Sequence, residues 1–522
     1  MTASLGLQRL LVGSLLPLCV ALAACSSDPA NPSNGAAGSG ASSVAGNTGT
    51  AGSSNATAGS GNAGAPSAGS GSSTGGATTG GTGTSGSAGG GSNTGGAAGA
   101  AGAAGAGTAG AGIAGGSSAD VYNPQFVEFY GADCQVADPK DVNISTLPDL
   151  FASFDGTRIT KKSDWRCRRA ELKKGVEKYI HGPKPGKPDT VTGSVTATSI
   201  KVHVEHMGKS IDFSVAITLP PGATGAVPAI IGLGGGSLDN SIVSGEGVAS
   251  INYDNYALSS EDSAKTGLFS KIYGTTDASA QIAWAWGVSR IIDVLVAERD
   301  AGRNNIIDPT GIGVTGCSRL GKGAFTIGAF DERIALGIPQ ESGTAGVSAL
   351  RMIATAPKGP NGQPAQSIAS AISTAAGWFG VPFNAYKGKV ETMPVDMSSI
   401  VAMYAPRGFL VLDNSRIGEL CSTCQHAATA AGAEVYEALG IGKNIEYHGG
   451  NTTDPHDHCT FYPSQADPLK RAIRAFLTKK AAPDGRIAPA AVATADLAKW
   501  VPWTAPTLAD DVSWASPPLT SK

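Results

Sequence analysis

Apolar positions recur at three- and four-residue spacing from Ala280 to Asp300 (AQIAWAWGVSRIIDVLVAERD), and the run closes on charged residues, which predicts a long core helix. Short apolar runs bounded by turn residues predict strands at Val215–Pro220 and Val227–Leu233, the second ending in Gly234-Gly235-Gly236-Ser237. Further strands are expected at Ile312–Thr315, Ile334–Ile338, Phe409–Leu412 and Ile445–Tyr447. Between and after them, helical periodicity marks Arg319–Phe330, Gln425–Leu439 and Pro468–Lys479. Strands alternating with helices predict an α/β protein whose mostly parallel sheet carries helices on both faces.

Ahead of this pattern the periodicity vanishes. Residues 28–118 hold 30 of the 73 glycines, a single charge (Asp28) and no aromatic residue. A stretch so poor in apolar bulk cannot offset the entropy of ordering its backbone, so it reads as a disordered linker over 26–118, with a globular body over 119–522. As a flexible coil it would reach about 50 Å. Residues 1–25 place Arg9 before an apolar run too short to span a bilayer comfortably, as in a signal peptide. That run ends in Leu22-Ala23-Ala24-Cys25, which looks like a bacterial lipobox with Cys25 as the lipidated residue; an ordinary secretory peptide with an incidental cysteine is the alternative. The expectation is an exported lipoprotein at the cell surface or outer membrane, a monomer touching the membrane only through its anchor. A net charge of −3 with no basic block lends no support to nucleic-acid binding.

Six cysteines remain beyond the signal region: Cys134, Cys167, Cys317, Cys421, Cys424 and Cys459. In an exported chain they are expected to form disulfides. Cys421-x-x-Cys424 has no second such pair to complete a zinc site, and reads as a local disulfide or two free thiols.

The chemistry concentrates at Gly313-Val314-Thr315-Gly316-Cys317-Ser318-Arg319-Leu320-Gly321-Lys322-Gly323, a strand joined to a helix through a glycine-flanked turn. A phosphate-binding loop fits until position 323, where Gly stands in place of the hydroxyl that would hold magnesium. A nucleophile elbow fits better: Ser318 projects above the carboxyl edge of the sheet, although the second glycine comes one residue late. A serine needs a base. His181, His203 and His206 precede the motif and read as surface residues, and His426 starts a helix. His448, His456 and His458 cluster after the last strand, where this architecture supplies its histidine. A metal site from His456 and His458 with Cys459 or Asp457 is the competing reading of that cluster. Two acids compete to orient the base, Glu341 after Ile334–Ile338 and Asp413 after Phe409–Leu412, and spacing leaves both open. The triglycine turn at Gly234–Gly236 is the candidate source of oxyanion-binding N–H groups.

GCSRLGKGA, then IPQESG and a late His-Cys pair, resembles the glucuronoyl esterases of carbohydrate esterase family 15. The likeness runs from about Leu147 to Leu508 and includes DGTRITKKSDWRCRRAEL, GLGGGS, AWAWGVSRIID and WVPWTAPTL. The resemblance implies an α/β-hydrolase three-layer αβα sandwich with a Ser318-His458-Glu341 triad and no cofactor or metal. It implies disulfides Cys317–Cys459 and Cys134–Cys167, an oxyanion role for Arg319, and substrate contacts from Lys322 and Gln366. A third bridge of fungal members cannot form in the same way, because no cysteine lies between Cys317 and Cys421. The family's sugar-binding acid and tryptophan also have no clear match: SIASAISTAAGWFG lacks the acid and DNSRIGEL lacks the tryptophan.

The activity so implied is hydrolysis of esters between (4-O-methyl-)glucuronic acid of glucuronoxylan and lignin alcohols, with a lignin–carbohydrate complex as partner. Another exported carboxylesterase, such as an acetyl xylan esterase, and a carbohydrate-binding protein without catalysis are the alternatives.

Overall fold

The computed structural model describes residues 126–131, 134–450, 457–487 and 495–512. The signal region with Cys25, the linker and His456 lie outside them.

Nine strands form one sheet: β1 (Thr190–Val195), β2 (Ser199–His206), β3 (Lys209–Thr218), β4 (Val227–Leu233), β5 (Ala249–Tyr253), β6 (Ile307–Cys317), β7 (Ile334–Gln340), β8 (Gly408–Leu412) and β9 (Ile445–His448), in the order β1-β2-β3-β5-β4-β6-β7-β8-β9. From β5 through β9 every neighbouring pair is parallel, while β1, β2, β3 and β5 pair antiparallel. His203 and His206, which the sequence sets in or beside segments of β type, lie in β2, where polar and apolar residues alternate. Only Ile200, Val202 and Val204 of β2 point into the core. The parallel strands instead are buried on both faces, β7 and β8 along their whole length.

Alternation along the central strands feeds two cores. Phe409 and Val411 of β8 pack with the Ala280–Asp300 and Arg319–Phe330 helices, whereas Leu410 and Leu412 pack on the other face with Leu469, Ile473 and Phe476. Both predicted helices on the first face have the expected bounds. The predicted Pro468–Lys479 helix is instead Ala466–Ala472 followed by a π-helical turn, Ile473–Leu477. Ala280–Asp300 has the length and apolarity of a membrane span, yet it lies buried in this core with Trp284 and Trp286 fully enclosed.

His181 corrects the sequence expectation. It is fully buried, with Nδ1 3.2 Å from Ser279 Oγ and Nε2 3.4 Å from Thr326 Oγ1, and burial lowers its pKa to about 3. It is a neutral core histidine. His203 stays on the exposed β2–β3 surface, beside Asp212 at 2.8 Å.

Candidate active site

The parallel strands deliver their carboxyl ends to one edge, where ligands bind in such sheets. There β6 runs into Ser318, β7 into Glu341 and β8 into Asp413. Ser318 sits at φ 56°, ψ −123°, a conformation outside the usual regions for a side-chain-bearing residue. Its N–H donates to the Gln340 carbonyl at 3.0 Å, which ties the turn to β7. The late second glycine now has a cause. A Cβ on Gly321 would lie 2.4 Å from the Gln340 carbonyl oxygen, and one on Gly316 would lie 2.5 Å from that of Leu320. The helix crosses the strand ends only because both positions lack side chains.

Glu341 is also left-handed, at φ 46°, and its N–H donates to the Leu412 carbonyl at 2.8 Å. Its side chain is fully buried. Oε2 lies 2.6 Å from His458 Nδ1 and accepts the Cys459 N–H at 2.8 Å. Cys459 is disulfide-bonded to Cys317, so the residue after the histidine is joined to the residue before the serine. Ser318 and His458 line one cleft of about 650 Å³. The sulfur of Cys459 is therefore unavailable to a metal. Among the described residues, the one cluster with metal-ligand spacing is Cys317, Glu341, His458 and Cys459, and it contains this bonded pair.

Asp413 is hydrogen-bonded to other groups. It accepts from Gln425 Nε2 and Tyr447 Oη, both at 2.8 Å, and from the Asn414 N–H at 2.9 Å. Burial pushes its carboxyl up to about 6, and the nearby Glu341 adds to the rise. His448 ends β9 with its carbonyl accepting from the Asp413 N–H, and His426 is buried edge-on against Tyr447.

The triglycine turn does not serve as expected. Gly234, Gly235 and Gly236 donate their N–H groups to the carbonyls of Tyr253, Gly232 and Leu233 at 3.0–3.1 Å. The helix start at Arg319 and Leu320, directly after Ser318, offers N–H groups without an internal acceptor, as in the first turn of any helix. Arg319 is half-exposed and paired with Glu261. Lys322 is buried, not solvated: it donates to the Ser342 carbonyl and lies 4.6 Å from the Trp378 ring centroid. Burial, with Arg319 beside it, lowers its pKa to about 7. Gln366 lines the cleft 3.5 Å from Thr374 Oγ1, its N–H bonded to the Glu419 carbonyl.

An acid and an indole both reach the cleft, from segments opposite to those in which they were sought. Trp378 comes from SIASAISTAAGWFG and Glu419 from DNSRIGEL. Glu261 carried no signal in a polar loop; only the fold brings it to the site. Cys134 bonds Cys167, and Cys421 bonds Cys424 just after the cleft residues Glu419 and Leu420.

A family model described as "Glucuronyl esterase, fungi" matches residues 202–440. The chain is 38% identical over 374 residues to a 4-O-methyl-glucuronoyl methylesterase of Hypocrea jecorina, an alignment covering 69% of this chain and 76% of that protein. The crystal structure of a Sporotrichum thermophile glucuronoyl esterase superposes with a TM-score of 0.65 at 35% identity, covering 72% of this chain and all of that one. A serine-to-alanine mutant of the Sporotrichum thermophile enzyme, in complex with methyl 4-O-methyl-β-D-glucopyranuronate, gives a TM-score of 0.61 at 36% identity, with the same coverage. With the sheet, the strained serine turn and these relatives taken together, this chain belongs to the glucuronoyl esterase family.

Proposed function

We propose that this chain hydrolyses the ester between the carboxyl group of (4-O-methyl-)glucuronic acid on glucuronoxylan and a lignin alcohol. The observation that carries the proposal is the His458–Glu341 hydrogen bond in a cleft that Ser318 shares with the buried Lys322. In this reading His458 Nε2 takes the Ser318 hydroxyl proton as Oγ attacks the uronoyl carbonyl, and Glu341 holds the Nδ1–H tautomer. Arg319 and the helix-start N–H groups receive the oxyanion, an effect of about 3–4 kcal/mol per well-placed donor. The alcohol leaves with the proton from His458. Water then loses a proton to His458 and cleaves the uronoyl-serine, releasing the acid and restoring the hydroxyl. Lys322, Gln366, Glu419 and the face of Trp378 would hold the sugar hydroxyls and ring.

Export, lipidation at Cys25 and the 26–118 tether complete the proposal, supported by the lipobox-like LAAC and the composition of the linker. A monomer anchored by its acylated N-terminus could lean toward an insoluble substrate.

The test is release of glucuronic acid from its benzyl and methyl esters, beside acetylated xylan, by wild type and Ser318→Ala. Uronate turnover lost in the variant is the expected result. Turnover of acetyl groups alone would sink the uronate assignment and keep an esterase. Binding of xylan with turnover of neither would leave a carbohydrate-binding protein.

A further inference from the structure

Arg319 and Lys322 bring two cations to the start of a helix, whose dipole already disfavours positive charge there. The side chain that answers them is Glu261, from the polar loop after the Asn255–Leu258 helix. One carboxylate oxygen pairs with the Arg319 guanidinium, and the other accepts Trp378 Nε1–H at 3.0 Å and faces Tyr256 Oη at 3.4 Å. The backbone is clamped as well: the Gly377 N–H donates to the Glu261 carbonyl at 2.8 Å, and a Cβ on Gly377 would come within 2.7 Å of that oxygen. Trp378 is held from its other side by Gln281 Nε2, which donates to its carbonyl at 2.8 Å and to that of Ala345 at 3.1 Å. Glu261 is thus mostly buried and spent on the site alone, with a side-chain exposure of 14%.

We infer that Glu261 is a positioning residue for the esterase reaction, which sets the Arg319 guanidinium beside the nucleophile and fixes the Trp378 wall with the same carboxylate. An arginine left on its flexible stem would have to be ordered in each transition state, whereas a paired one is ordered beforehand. The inference rests on the esterase reading, and assigns a division of labour within it: the charge of Glu261 serves Arg319, and its acceptor oxygen serves Trp378.

Glu261→Gln keeps an acceptor for the indole and removes the charge. It should lower kcat about tenfold with KM within twofold of wild type. Trp378→Phe, which removes the indole N–H that Glu261 accepts, should raise KM. In an Arg319→Met background, Glu261→Gln should have no further effect on kcat. An unchanged kcat in Glu261→Gln, or the same loss repeated without Arg319, would overturn the inference. Running the cycle on methyl glucuronate and on p-nitrophenyl acetate keeps the two proposals apart. Wild type silent on the uronate would strike only the substrate assignment, because both esters place their oxyanion at the same point and the cycle is then read on the acetate.

Discussion

His458 Nδ1 and the N–H of Cys459 both address one oxygen of Glu341, at 2.6 and 2.8 Å. The histidine is thus oriented by side chain and backbone together, and the disulfide at the next residue ties that backbone to the residue before Ser318. The ends of two consecutive strands and a segment more than a hundred residues later meet through one carboxylate and one covalent bond.

That convergence separates the two acids. Glu341→Ala should lower kcat by about 10³-fold or more, through loss of the tautomer and orientation of His458. Asp413→Asn should cost far less, because its contacts are Gln425, Tyr447 and the Asn414 backbone. Steady-state kinetics of both variants on methyl glucuronate check this, and the reverse order would reassign the acid.

That spacing leaves Glu341 and Asp413 both open has a physical cause: they leave adjacent parallel strands at the same edge, and the His458 contact of Glu341 is made by the fold. The parallel strands and the Ala280–Asp300 and Arg319–Phe330 helices were legible because burial on both faces writes continuous apolar runs and helical periods. Ser318 and His458 were legible because a strained turn demands glycines and a late loop concentrates histidines. The burial of His181 and Lys322 was not, since both owe it to contacts made across the fold. Glu261 sits in a polar loop and Trp378 and Glu419 in single 3₁₀ turns, and no local pattern encodes their meeting. The triglycine turn misled for a related reason: glycines mark a tight turn without saying where its N–H groups point.

Removing the Cys317–Cys459 bridge tests whether it aligns Ser318 with His458. Cys317→Ala with Cys459→Ala should lower kcat by about 10²-fold, as misplacement on the order of 1 Å does, with a smaller change in KM. Thermal unfolding beside kinetics checks it: a lowered Tm with full kcat at 25 °C would make the bridge purely structural.

Lys322→Met separates binding from stability. The folded pKa near 7 lies below the ordinary 10.5, so between those values the unfolded chain binds more protons and stability rises with pH. The variant should lose that rise and be more stable by about 1–3 kcal/mol at pH 6. Its KM for methyl glucuronate should climb ten- to a hundredfold, roughly the worth of a hydrogen bond from a charged donor. Urea unfolding at pH 6 and pH 9 with parallel kinetics decides; an unchanged KM would remove Lys322 from the substrate site.

Far from the cleft, Glu128 pairs with both Lys184 and Arg290, whose side chains are buried. Burial pushes the Glu128 carboxyl up, but Lys184 and Arg290 outweigh it and hold the group down at about 2. A depressed carboxyl contributes stability that is present above its ordinary value of 4.5 and is lost as pH falls from there toward 2. Glu128→Gln leaves two buried cations short of one counter-ion, with Asp293 still bonded to Arg290 and Arg333. It should cost about 3 kcal/mol at pH 7. That difference should shrink steadily as the pH is lowered through the window, because the wild type loses the same charge by protonation. Urea unfolding of both proteins at pH 7, 4 and 3 measures it. A gap as wide at pH 3 as at pH 7 would trace the loss to packing of the side chain, not to its charge.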